Sequence, residues 1–155
     1  MTTTKLEEII QNLLNTHKGG EKYFDNFDAE MLKEENLDII IDFIDSVGYK
    51  NIAVSGKFGS YVALLYMQGL LDVKSVVKFN GGLRKGGITD ITFIGKGGYE
   101  NKEFVFIDDS FYKGRTRDKV AEYLERNNSR IVHTSVIYDG SLEQEEEVTS
   151  LFRYH

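Results

Sequence analysis

Phe104-Val105-Phe106-Ile107-Asp108-Asp109-Ser110-Phe111-Tyr112-Lys113-Gly114-Arg115-Thr116 is the stretch on which the reading of this chain turns. The four apolar residues at 104–107 have the pattern of a buried strand. Two adjacent carboxylates, Asp108 and Asp109, follow at its end. A short turn with Gly114 and Thr116 leads straight into helical spacing at Val120, Ala121 and Leu124. A glycine turn feeding a helix start presents main-chain N–H groups to an anion, above all a phosphate. Carboxylates beside it accept hydrogen bonds from hydroxyl groups. Strand, acids, turn and helix in that order therefore suit a phosphorylated sugar. Two acids at a strand end can also simply cap the turn that follows.

The same residues resemble the phosphoribosyl-pyrophosphate (PRPP) signature of type I phosphoribosyltransferases. That signature is an apolar strand, two acids, four variable residues, then glycine, any residue and threonine. The ending at Tyr112, Gly114, Arg115 and Thr116 is most similar to the uracil phosphoribosyltransferases that double as pyrimidine-operon regulators. Lys113 stands where the family usually has threonine or serine. The resemblance implies that Asp108 and Asp109 hold the ribose hydroxyls. It also implies that the amides of Phe111, Tyr112, Lys113, Gly114, Arg115 and Thr116 bind the 5′-phosphate, with the Thr116 hydroxyl as a further donor.

Outward from this segment, short apolar runs alternate with helical patterns. Ile52, Ala53 and Val54 read as a strand, 55–60 as a turn and 61–71 as a helix. Residues 75–79 read as the next strand and 80–90 as a glycine-rich loop. Ile91 to Ile94 form a further apolar run, Gly95 to Gly98 the turn of a hairpin or an excursion, and 130–138 the final strand. This alternation predicts an α/β fold with a mainly parallel central sheet and helices on both faces. Ligands bind such sheets at the carboxyl ends of the strands, where the loops at 55–60, 80–90 and 108–116 converge. The resemblance implies the three-layer phosphoribosyltransferase fold with a small hood.

Nearer the start, Thr4 and Glu7 form a capping box ahead of Leu6, Ile9, Ile10 and Leu13 at helical spacing. Residues 17–28 read as a loop. A second helix over 32–47 has Gly48 as its stop. The acidic run 143–147 reads as a solvated helical face. A single domain over 1–155 is expected, with its core at about 50–140 and hood segments at either end.

Two further loops suit anions. Ser55, Gly56, Lys57, Phe58 and Gly59 follow the first core strand, where the resemblance implies the pyrophosphate loop; glycine turns after strands are also common in their own right. Arg84 and Lys85 lie among four glycines in 80–90. The resemblance places there a mobile loop that closes over PRPP, and an ordinary basic hairpin tip explains the same residues. Tyr138 and Asp139, at the end of the last strand, fall where the family recognises the base; a surface Asp-Gly-Ser turn fits equally. His17, His133 and His155 share no metal-ligand spacing.

Composition narrows the classes. The chain has 155 residues, 41% hydrophobic and 28% charged, which suits one soluble globular domain. A net charge of −6 argues against a general nucleic-acid binder. The chain has no cysteine, so thiolate and disulfide chemistry are excluded. Neither a membrane-spanning run nor a secretory core is evident, and a cytoplasmic protein is expected. The resemblance implies a Mg²⁺-dependent transferase that moves 5-phosphoribose from PRPP to a nucleobase or similar nitrogen nucleophile in nucleotide salvage. Mg²⁺ would travel with PRPP and be shared with Asp108 and Asp109, and the chain would pair as a homodimer. The alternative is a PRPP-sensing regulator of the same fold that has lost turnover.

Overall fold

The computed structural model describes residues Glu8, Ala29, 33–82, 87–95, 98–111, 114–141 and 147–153. The chain divides into two compact units, Met1–Phe43 and Ile44–His155. In the first, Glu8 is helical, and the rest of the expected 4–13 helix and the 17–28 loop lie outside the described residues. The helix expected over 32–47 is shorter. A single 3₁₀ turn, Glu34–Asn36, leads into α1, Leu37–Asp45. Its last turn tightens through Val47 and Gly48 N–H donating to the Ile44 and Asp45 carbonyls, and Gly48 leaves it at φ +85°.

The second unit holds one six-stranded sheet in the order β3-β2-β1-β4-β5-β6. The strands are β1 Asn51–Ser55, β2 Ser75–Gly82, β3 Gly87–Ile94, β4 Glu103–Phe111, β5 Arg130–Asp139 and β6 Val148–Arg153. All pair in parallel except the antiparallel β2–β3 ribbon. α2, Gly56–Met67, crosses from β1 to β2, and α3, Arg115–Glu125, from β4 to β5. These crossovers run to opposite sides of β1–β4, and right-handed connections therefore put α2 and α3 on opposite faces. The α/β fold expected from the sequence is the fold observed.

β4 is central because both of its faces are apolar: Phe104, Val105, Phe106 and Ile107 are all buried. Phe104 and Phe106 pack with Ala53, Val77 and Phe79 against Val120 and Leu124 of α3. Tyr123 meets Phe79 edge-on, with ring centres 5.7 Å apart. α2 lies on β1, β2 and β4.

Several boundaries differ from expectation. The chain does not spend 55–60 on a turn. Gly56 alone makes it, at φ +71°, and the helix runs Gly56–Met67 rather than 61–71. Gly59 lets its first turn lie on β1, since a Cβ there would sit 3.1 Å from the Val54 carbonyl carbon. The helix ends where Gly69, at φ +74°, and Leu70 donate back to Tyr66 and Leu65. Most of the expected 80–90 loop is a ladder: β2 reaches Gly82, β3 starts at Gly87, and the register shifts between Asn80 and Gly81. Ladder pairing overrides the low strand propensity of glycine. Of the hairpin turn or excursion expected at 95–98, the strand order leaves the excursion, because β3 lies at the sheet edge and β4 beyond β2 and β1; Lys96 and Gly97 lie outside the described residues. β4 continues past the acids to Phe111, and β5 is followed by an unexpected sixth strand. Of the acidic run, only the exposed Glu147 is described, in a turn. No helix among the described residues is long and apolar enough to cross a membrane.

Candidate functional site

Parallel pairing brings the carboxyl ends of β1, β2, β4 and β5 to one edge of the sheet, and the site is built there. From β4 come Asp108 and Asp109, both half-buried. They lie within the strand rather than in a loop, with Asp108 in register with Val136 and Ser110 with Tyr138. The Asp108 carboxylate accepts the Asp109 N–H at 2.9 Å, and the Asp109 carboxylate accepts the Ser110 hydroxyl at 3.3 Å. These contacts help fix the two carboxylates.

Phe111 ends the strand and turns its ring into a small apolar cluster with Val136 and Val148. Its carbonyl accepts the Gly140 N–H at 2.9 Å, which ties the start of the turn to the end of β5. Tyr112 and Lys113 lie outside the described residues. Gly114 is buried and left-handed, at φ +71° and ψ +20°. A Cβ there would meet the Phe111 ring and the Arg117 guanidinium, each at 3.0 Å. The requirement for glycine is thus both conformational and steric. α3 starts at Arg115 with no side-chain cap, and Asp118 N–H closes its first turn on the Gly114 carbonyl. An uncapped start leaves main-chain N–H groups of the first turn that an anion can accept from. Arg115 is exposed and Thr116 half-buried.

From β1 comes a second start of the same type. Ser55 makes no side-chain cap to α2, and Gly56 and Lys57 are exposed where the helix begins. Ser55, Phe58 and Gly59 are buried, and the Phe58 side chain belongs to the core. The Ser60 hydroxyl donates to the Gly56 carbonyl within this turn. Nearby, burial raises the pKa of the Tyr61 phenol. Arg84 and Lys85 lie outside the described residues.

From β5, Tyr138 and Asp139 are both buried. The Asp139 carboxylate accepts the Ser141 N–H at 2.9 Å and its hydroxyl at 2.6 Å. Its other oxygen pairs with Arg153 on β6 at 3.1 Å. This carboxylate, expected as a base contact or part of a surface turn, is 0% exposed and holds the end of β5 to β6. His133 shares a hydrogen bond with Thr149, also across that strand pair.

Two residues of this edge escaped the sequence reading. Arg153 belongs to a strand that was not foreseen. Arg117 has no place in the motif and lies with its guanidinium 5.0 Å over the Phe111 ring. Among the described residues no three His, Cys, Asp or Glu gather to cage a metal. Asp108 and Asp109, both half-buried, could supply the one or two carboxylates that a Mg²⁺ ion takes while keeping several waters.

No protein-family model matches the sequence, and no curated protein matches it. The fold, in contrast, is shared with solved structures. An orotate phosphoribosyltransferase from Aeropyrum pernix superposes with a TM-score of 0.53 at 19% identity, over 78% of this chain and 73% of the other. A phosphoribosyltransferase from Corynebacterium diphtheriae gives 0.56 at 12% identity, over 79% and 77%. The orotate phosphoribosyltransferase of Mycobacterium tuberculosis H37Rv, in complex with inorganic phosphate, gives 0.56 at 10% identity, over 99% and 88%. At these identities the likeness is one of fold.

Proposed function

We propose that this chain is a phosphoribosyltransferase that moves 5-phosphoribose from PRPP to a nucleobase or similar nitrogen nucleophile and releases pyrophosphate. The observation that carries the reading is the pair of uncapped helix starts, at Gly56 and Gly114, on the sheet edge that also bears Asp108 and Asp109. Two anion sites beside a hydroxyl-binding acid pair match a sugar with phosphate at one end and pyrophosphate at the other. The shared fold supports this reading, as does the inorganic phosphate bound by the M. tuberculosis structure.

In this reading the turn from Phe111 to Thr116 holds the 5′-phosphate through main-chain donors. Asp108 and Asp109 accept the ribose hydroxyls and fix the ring. Their negative charge faces the cation that develops on the ribose as the bond to pyrophosphate breaks. The amides at Gly56 and Lys57, with the Lys57 ammonium, receive the pyrophosphate, and Arg84 and Lys85 add charge to the same leaving group. Asp108 and Asp109 would help hold Mg²⁺ that arrives with PRPP, and the ion would supply positive charge to the departing pyrophosphate. No covalent nucleophile is needed; positioning supplies the rate. Tyr138 and the turn after it border the acceptor.

The decisive assay is pyrophosphate release from PRPP and Mg²⁺ across a panel of purine and pyrimidine bases. Release with one base class supports the transferase. PRPP binding without release on any base would replace it with a PRPP-sensing regulator. Calorimetry separates the site from the reaction: micromolar-range PRPP binding is expected of the wild type and none of the Asp108→Asn/Asp109→Asn double variant. Equal binding by both would defeat the assignment.

A further inference from the structure

Exposed apolar surface gathers on α2. Among the described residues five large apolar side chains are exposed, and three of them belong to this helix and the turn that ends it: Leu64 at 53%, Met67 at 60% and Leu70 at 44%. Leu64 and Met67 are one turn apart and share a face. Ser60, exposed, and Tyr61, half-buried, lie one turn before Leu64 on that face, and the exposed Gln68 lies one turn after it. Val62, Ala63 and Leu65, on the other side of the helix, are buried. From Phe58 to Leu71 the sequence carries no charged residue, in a chain that is 28% charged. A helix face that meets only water ordinarily carries charges. An apolar face that lacks them has the character of a contact surface.

We propose that this face of α2 pairs with the same face of a second copy of the chain. Charge selects the occupant. At a net charge of −6 two copies repel one another, and contact through an uncharged face keeps that repulsion lowest. A partner with a charged surface would find no counter-charge on it. A two-fold axis at Leu64, the middle of the face, lays the two helices antiparallel. The positive amino-terminal end of each then lies beside the negative carboxyl-terminal end of the other, where the exposed Asp72 adds to the negative charge. α2 has 12 residues and spans only about 18 Å. A contact of that length belongs to the small class of interfaces, with a dissociation constant in the micromolar range. The inference is independent of the reaction proposed above.

Sedimentation velocity of the full chain across a dilution series tests it. The wild type is expected to pass from dimer to monomer in the micromolar range, and a monomer at every concentration would overturn the proposal. Leu64→Glu and Leu64→Lys each set a charge against its own copy at the axis. Each is expected to weaken the dimer by about a hundredfold or more, with circular dichroism and the melting point unchanged. An equimolar mixture of the two variants is expected to recover the dimer, because opposite charges then meet. Variants that stay dimeric on their own, or a mixture that stays monomeric, would overturn the proposal. A second readout does not depend on charge. The chain has no cysteine, so Leu64→Cys gives each copy a single thiol. Mild oxidation is expected to link two copies through it much faster than through Val132→Cys, a site exposed on β5. Equal rates at the two sites would overturn the assignment to α2.

Discussion

Gly114 is the most constrained residue at the candidate site. Its φ of +71° disfavours any side chain, and the space a Cβ would need is already taken by Phe111 and Arg117. Gly114→Ala is therefore expected to cost about 1–3 kcal/mol in urea unfolding, the range for a non-glycine residue held left-handed. It should also abolish PRPP binding, because relief of the clash moves the turn. Gly98 is the control: it too is left-handed, at φ +71°, but nothing lies within 4 Å of a Cβ there. Gly98→Ala should cost stability without touching PRPP affinity. The need for Gly114 was legible in the sequence because a strand, an acid pair and a glycine turn act over neighbouring positions. The contact of Arg117 with Phe111 was not legible, since nothing in the order of residues says that one packs on the other. Asp139 was visible as an acid at a strand end, but its partner Arg153 follows a turn and an unforeseen strand.

At the scale of elements, β4 and its flanking helices carry the stability. Phe106 is nearly fully buried between β1, β5 and α3, and Phe106→Ala is expected to cost about 3–5 kcal/mol in chemical unfolding. The β5–β6 pair is the other test. Arg153→Met would leave the buried Asp139 carboxylate with only the Ser141 donors. Loss of one partner of a buried pair costs about 3–5 kcal/mol; Arg153 is 23% exposed, so about 2 kcal/mol is expected in the same measurement. Element types followed from periodicity, and their boundaries did not. Gly56 reverses the chain by itself, where a run of small residues had read as a longer turn. Gly81, Gly82 and Gly87 join a ladder because β2 and β3 face each other, a non-local pairing that local propensity cannot report. Val148–Arg153 is short and follows an acidic run that masked it.

For the whole molecule, strand order does what no single motif can. β1 and β4 are adjacent and parallel, so the turn at Gly56 and the turn at Gly114 open on the same edge although about sixty residues separate them in sequence. The architecture was foreseen because alternating strands and helices leave few right-handed solutions.

Two helices begin without a side-chain cap, so a solute anion that fits their first-turn N–H groups can be detected through stability. A solute that fills those donors in the native state only must raise the melting point. At a hundred times its dissociation constant the gain is about 2.7 kcal/mol, or roughly 5–10 °C for a chain of this size. A dye-monitored melt against phosphate, pyrophosphate, sulfate and nucleoside monophosphates would rank them by fit before any reaction had been identified.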